Sequence, residues 1–166
     1  LPSFSNIGGT YGAYLKKWDK RALKPIEFYP LPFKNNKKIN RSYFDNLMNV
    51  IHKIDSDILY IDPPYNARQY APNYHVLETI ALEDFKNLKG VTGLRNYEDQ
   101  KSDFCNKNKA KKSLDDILSK TKSKYVIMSY SSDGIMSKND ILDIFKNSLR
   151  SDSIVLEEIP YRKFKR

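Results

Sequence analysis

A chain of 166 residues with 40% hydrophobic and 13% aromatic side chains can bury a core as one ordinary domain, or as a piece of a larger one; its composition is not that of a disordered segment. The formal charge of +9 points to a polyanionic partner, nucleic acid before membrane, although lysine-filled solvent faces would give the same balance. A single cysteine, Cys105, excludes an internal disulfide framework and suits the cytoplasm; with His52 and His75 alone, no metal site is expected, and no apolar stretch nears the roughly 20 residues of a membrane span.

Residues 1–40 alternate small, aromatic and basic groups, with Gly8-Gly9-Thr10-Tyr11-Gly12, then Lys16-Lys17-Trp18, then Pro25, Pro30 and Pro32. Prolines and the Asn35-Asn36 pair break long elements, so loop, a short helix near 11–22 and extended connections are expected there. Phe44, Leu47, Met48 and Ile51 recur at helical spacing and predict a helix from Ser42 to residue 54. Residues 57–61 read as a short buried strand. Val76, Leu77, Ile80, Ala81 and Phe85 fall on one face of a helix predicted over 73–88, just after Pro72. Residues 89–110 read as a polar loop with a Gly-Val-Thr-Gly turn. Leu114, Ile117 and Leu118 predict a helix over 111–120, and residues 125–130 a second buried strand. Ser137 can cap a helix to about residue 148, with Ile141, Leu142, Ile144, Phe145 and Leu149 inward. The alternation in 153–159 predicts a last strand, antiparallel or at an edge. This order predicts an α/β fold: half of a doubly wound, Rossmann-like sheet, mixed but mostly parallel and flanked by helices. The opening Leu1-Pro2-Ser3 lacks an initiator Met and reads like a cut within a longer chain.

The most informative segment is Asp62-Pro63-Pro64-Tyr65-Asn66, directly behind the apolar run 58–61. The carboxyl edge of a strand is where open α/β sheets bind ligands. A residue before proline is driven into extended geometry, so Asp62 and Pro63 continue outward from the strand. Neither proline has an N–H, and both have fixed φ. The Pro63 carbonyl is then a rigid acceptor beside the Asp62 carboxylate, and two acceptors match the two N–H donors of an amino group on an aromatic ring. Tyr65 offers a flat face for that ring. Such an amine is a weak nucleophile because its lone pair is delocalised. Accepting both N–H bonds draws the nitrogen toward tetrahedral geometry and returns the lone pair for attack on a methyl sulfonium. Orientation and acceptors aimed at the developing positive charge supply the rate. A ring within a duplex must first be flipped out.

The chain resembles the adenine-N6 DNA methyltransferases, in particular the Dam-like group of restriction–modification systems. The resemblance covers most of the chain. It rests on Tyr60-Ile61-Asp62-Pro63-Pro64-Tyr65-Asn66, on Arg68-Gln69-Tyr70 with Asn73-Tyr74-His75-Leu77-Glu78-Thr79, and on Lys101-Ser102-Asp103-Phe104-Cys105. Phe4-Ser5-Asn6, Thr10-Tyr11-Gly12-Ala13-Tyr14 and Pro160-Tyr161-Arg162 also look like that group. It implies transfer of methyl from S-adenosylmethionine to a flipped adenine in double-stranded DNA, with Asp62, Pro63, Pro64 and Tyr65 gripping the amine against the cofactor. A cognate restriction endonuclease in the same system is implied as a possible partner. The family's Phe-x-Gly-x-Gly cofactor loop has no good match, since Gly8-Gly9-Thr10-Tyr11-Gly12 follows a poor strand. The reading is therefore a C-terminal fragment, inactive alone, whose N-terminal half carries that loop. Residues 1–40 would belong to a target-recognition or connecting region, and 41–166 to the C-terminal part of the catalytic domain.

Asn40 and Ser42 precede a helix where the family has a polar residue near the cofactor's adenine, although simple capping explains Ser42 as well. Asn66, Arg68, Tyr70, Tyr74 and His75 could order the loop, contact the nucleotide or bind phosphates; Tyr74 and His75 could equally pack a helix start. Tyr11, Lys16 and Lys17 interleave aromatics with cations and suit a DNA face, or a short docking helix with Trp18. Cys105 has no neighbour that would activate it and reads as a packing residue. Three other readings stand beside the main one: an rRNA guanine or other amine methylase, a non-enzymatic DNA-binding module, and a purely structural turn in which Asp62 pairs with a neighbouring Lys or Arg.

Overall fold

The structure, a computed structural model, describes residues 23–25, 27, 29–32, 37–90, 92–149 and 153–160. The helix expected near 11–22 lies outside them.

Two short strands, β1 (Ile58–Ile61) and β2 (Tyr125–Met128), form a parallel pair with Ile58 opposite Tyr125 and Ile61 opposite Met128. β-Branched and aromatic side chains suit such a pleated surface. Backbone bonds from Tyr125 N–H to the Asp57 carbonyl (2.8 Å) and from Ser129 N–H to the Ile61 carbonyl (3.0 Å) carry the pairing past both ends. Leu59 and Ile61 point into a core with Ile51, Phe104, Ala110, Leu114, Ile117, Leu118 and Met136. The centre of that core is α3 (Ala110–Lys120), which packs against α4 (Lys138–Ser148), against α1 (Leu47–Val50) and against a 3-10 turn at Asp103–Cys105. Leu114, Ile117 and Leu118 form its inner stripe, as their spacing predicts. Ser137 caps α4 within a complete capping box with Asp140. Ile141, Ile144, Phe145 and Leu149 pack on the core as expected.

No described element covers the opposite face of the sheet. Ile58, Tyr60, Tyr125 and Ile127 are 52–61% exposed, which is unusual because parallel sheets are normally covered on both sides.

Five expectations need correction. The two strands expected to be buried each have one exposed face, and the second ends at Met128 instead of residue 130. The helix predicted over 42–54 shrinks to α1 and a 3-10 turn (Ile51–Lys53), and Asn46, not Ser42, is its cap. The Asp45 carboxylate accepts from Asn46 N–H (2.6 Å) and Asn49 Nδ2 (2.8 Å), and Asn46 Oδ1 accepts from Met48 N–H (3.0 Å). Short Asp and Asn side chains compete in this way for the N–H groups a longer helix would use, and Phe44 is left exposed.

The second helix, α2 (Tyr70–Leu82), begins earlier than predicted, with Pro72 in its first turn, where the missing N–H costs nothing. It ends at Glu83, which takes the left-handed conformation. Its buried residues are His75 and Thr79, whereas Ile80 and Phe85, expected inward, are 58% and 67% exposed. The periodic stripe faces a side that no described element covers.

In the loop 89–110, Gly90 and Gly93 supply the positive φ that its turn requires. Phe104 and Cys105, however, enter the interior. Residues 153–160 form no strand, and among the described residues no neighbour supplies a ladder for them; Val155 is 90% exposed. Glu158 instead pairs with Lys138 at the start of α4.

Candidate functional site

Both strands end at the same edge, and the segments that leave them, 62–69 and 129–136, lie against each other. Asp62 is exposed, Pro63 is buried, and Pro64 and Tyr65 are half-buried. Among the described residues, no cation pairs with the Asp62 carboxylate and no donor reaches the Pro63 carbonyl. The reading of this segment as a turn held by an Asp62 ion pair therefore has no structural partner behind it. The Asp62 charge does reach Tyr70: partial burial first, then that carboxylate, raise the Tyr70 phenol above its usual 10.0.

A hollow of about 200 Å3 opens beside this edge, lined by Pro64, Tyr65, Asn66, Arg68, Tyr70 and Asn73. Two aromatic rings, two side-chain amides and one guanidinium on one concave surface suit a flat, hydrogen-bonding ring. Asp62 stands just outside the lining, its charge felt at the Tyr70 wall. Asn73 presents a buried Oδ1 with no hydrogen-bond partner, an acceptor whose desolvation is uncompensated in the absence of a ligand.

The loop is anchored at several points. The Tyr65 carbonyl accepts from Ile135 N–H at 2.7 Å and from the Tyr130 hydroxyl at 3.3 Å. Asn66 Oδ1 accepts from Arg68 N–H at 3.0 Å, an Asx turn. The Arg68 carbonyl accepts from the Cys105 thiol at 3.4 Å. The Gln69 side-chain amide pairs with the backbone of Ser102, donating to its carbonyl (3.1 Å) and accepting from its N–H (2.8 Å). Burial pushes the Cys105 thiol up, so it is an inert strut rather than a nucleophile.

Of the residues singled out in the sequence, Asp62, Pro63, Pro64, Tyr65, Asn66, Arg68 and Tyr70 meet at this edge. Tyr74 stands one turn along α2, its ring 6.0 Å from that of Tyr70. His75 is 4% exposed and has an unpartnered Nδ1, so it presents no surface to DNA from this position. Asn40 and Ser42 are exposed and do not line the hollow; Asn40 donates to the Lys38 carbonyl at 3.1 Å. Tyr11, Lys16 and Lys17 lie outside the described residues. Among the described residues no group of His, Cys, Asp and Glu is arranged to hold a metal ion.

The anchoring residues Gln69, Ser102, Tyr130 and Ile135 carried no role in the sequence reading. Gln69, Ser102 and Cys105 did lie within the segments that carry the resemblance, which was the available signal. Nothing comparable marked Tyr130.

Residues 2–144 match the family described as D12 class N6 adenine-specific DNA methyltransferase. The chain is 44% identical to the Type II methyltransferase M.FokI of Planomicrobium okeanokoites, across 99% of this chain and 26% of that protein. It is 40% identical to modification methylase StsI of Streptococcus sanguinis, across 99% of this chain and 25% of that protein. Against the Type II methyltransferase M.NlaIII of Neisseria lactamica the identity is 38%, across 97% of this chain and 47% of the relative. The chain thus spans between a quarter and a half of these relatives. No solved structure matches it.

Proposed function

This chain belongs to the D12 class of N6 adenine-specific DNA methyltransferases, and on that premise we propose that it forms the amine-gripping part of an enzyme that methylates adenine N6 within a short site in double-stranded DNA. The observation that carries this reading is the exposed Asp62 carboxylate and the Pro63 carbonyl, neither with a partner among the described residues, next to a hollow walled by Tyr65 and Tyr70. Asp62 and the Pro63 carbonyl each accept one N–H of a flipped adenine, and the nitrogen lone pair is freed as the N–H bonds tilt toward them. Tyr65 stacks on the base and fixes its plane. Loss of the amine proton after transfer is eased by the same acceptors.

The methyl donor is S-adenosylmethionine, which supplies an electrophilic methyl on a cationic sulfonium. The donor set fits its reacting end, since an unneutralised carboxylate and a bare carbonyl favour positive charge. The family's Phe-x-Gly-x-Gly loop has no good match in these 166 residues, which span about a quarter of M.FokI and StsI, and this stretch by itself should transfer little or no methyl. The enzyme works in the cytoplasm in a restriction–modification system, alongside a cognate endonuclease.

The test is tritium transfer from labelled cofactor to unmodified DNA by the full-length enzyme carrying this chain. Asp62→Ala should lower turnover by roughly 100-fold or more while DNA affinity stays. Retained turnover in that variant ends the proposal, and acceptance of methyl by rRNA in place of DNA redirects it.

A further inference from the structure

We infer that Tyr130 is a positioning residue that sets the placement of the Asp62–Tyr65 loop through the Tyr65 carbonyl. The inference rests on the function proposed above.

The loop is fixed at both ends by a single segment of chain. Upstream, the Ile61 carbonyl accepts from Ser129 N–H at 3.0 Å; downstream, the Tyr65 carbonyl accepts from Ile135 N–H at 2.7 Å and the Tyr130 hydroxyl at 3.3 Å. Between these points lie only Asp62, Pro63 and Pro64, two of them with φ locked by their rings. Fixing both ends of so stiff a stretch fixes the two acceptors it carries. The Tyr65 carbonyl has its two lone pairs engaged by the two donors, which restrains its direction as well as its distance.

Tyr130 is itself held. Its hydroxyl accepts from Met136 N–H at 3.2 Å, and the Met136 side chain, 2% exposed, belongs to the core. A path of direct contacts therefore runs from the core through Met136 and Tyr130 to the loop. Gly134 makes the arrangement possible. A Cβ there would press on the Tyr130 ring, 2.7 Å from its Cζ, and stand 2.9 Å from the Ser131 carbonyl oxygen, so any side chain at 134 displaces the ring or the turn.

Packing alone would need the ring but not the hydroxyl, and Tyr130→Phe separates the two. In the full-length enzyme, with tritiated cofactor and unmodified DNA, Tyr130→Phe should lower kcat roughly tenfold. KM for DNA should change by less than about twofold, and the melting temperature should fall only by the few degrees that two lost hydrogen bonds account for. Hydrogen exchange at the Ile135 amide and across residues 66–69 should speed up. Gly134→Ala, which displaces the Tyr130 ring or the Ser131 turn, should also lower kcat and should lower the melting temperature in addition, and the double variant should cost no more in kcat than the larger single change, because both act on one clamp. Wild-type kcat in Tyr130→Phe, a change confined to KM, or a kcat loss that vanishes when the assay is run well below the variant's melting temperature overturns the inference. If the variants do not fold, exchange on the unaltered protein decides: an Ile135 amide as fast as a free loop amide overturns the clamp, and strong protection supports it. An unaltered enzyme that methylates no adenine would instead sink the proposed function, and the exchange measurement would still judge the clamp.

Discussion

Tyr65 lies on the loop beside the hollow, and Cys105 lies on a separate turn that braces it through the Arg68 carbonyl. Tyr65 is half-buried on the wall of the hollow, while its carbonyl is tied to the 129–136 segment. Stacking on an aromatic ring is worth about 1–3 kcal/mol per base. Tyr65→Phe should therefore keep most activity, and Tyr65→Ala should lower kcat/KM by roughly 10- to 100-fold. Equal activity in the two variants would remove stacking from the mechanism. Cys105 is buried, and burial raises its thiol. At about pH 8 it should react with iodoacetamide far more slowly in the native protein than in urea. Similar rates in both states would mean that the 102–105 strut is not formed. Asn73 was marked beforehand only as a helix start within a segment that carries the resemblance, yet its buried oxygen, without a partner among the described residues, belongs to a residue that lines the hollow.

Among the elements, α3 and α4 behave as their patterns require, because each has an apolar stripe and a neighbour to receive it. The capping box of α4 is a local device whose strength can be measured. Ser137→Ala should cost about 1 kcal/mol in urea unfolding, and an unchanged midpoint would count against the cap. Within the box, the Lys111 ammonium first, then bonds from Ser137, lower the Asp140 carboxyl from 3.8 to about 2. A folded pKa below the unfolded one means stability present above about pH 4 and lost as pH falls through about 2. The difference in melting temperature between the unaltered protein and Asp140→Asn should accordingly be flat near neutrality and shrink below pH 4. A difference that grows on acidification would contradict this. In α2 the pattern misled, since an apolar stripe states a need for cover without naming what provides it.

At the scale of the molecule, the described elements cover one side of the sheet and not the other. Leu59 and Ile61 are sealed by α3 and its neighbours, while Ile58, Tyr60, Tyr125 and Ile127 and the outer stripe of α2 remain open. Exposed apolar patches of this kind mark surfaces that take a partner. The 166-residue chain should enhance the fluorescence of a hydrophobic dye, and Tyr60→Ser with Ile127→Ser should abolish that signal without lowering the melting temperature. Absence of dye binding by the unaltered chain would show the face to be covered.

Some of this was legible from the residues alone and some was not. The first strand, α3, α4 with its Ser137 cap, and the proline-stiffened acceptor pair at 62–65 are set by local rules: side-chain period, cap chemistry and locked φ. Those rules act within a few residues and hold wherever the segment is placed. The hollow, the sealed and open faces of the sheet, and the loss of a strand at 153–159 depend on which segments meet. So does the grip of Ser102, Cys105, Tyr130 and Ile135 on the loop. Such contacts join residues 33 to 70 positions apart, and only folding brings them within hydrogen-bond reach.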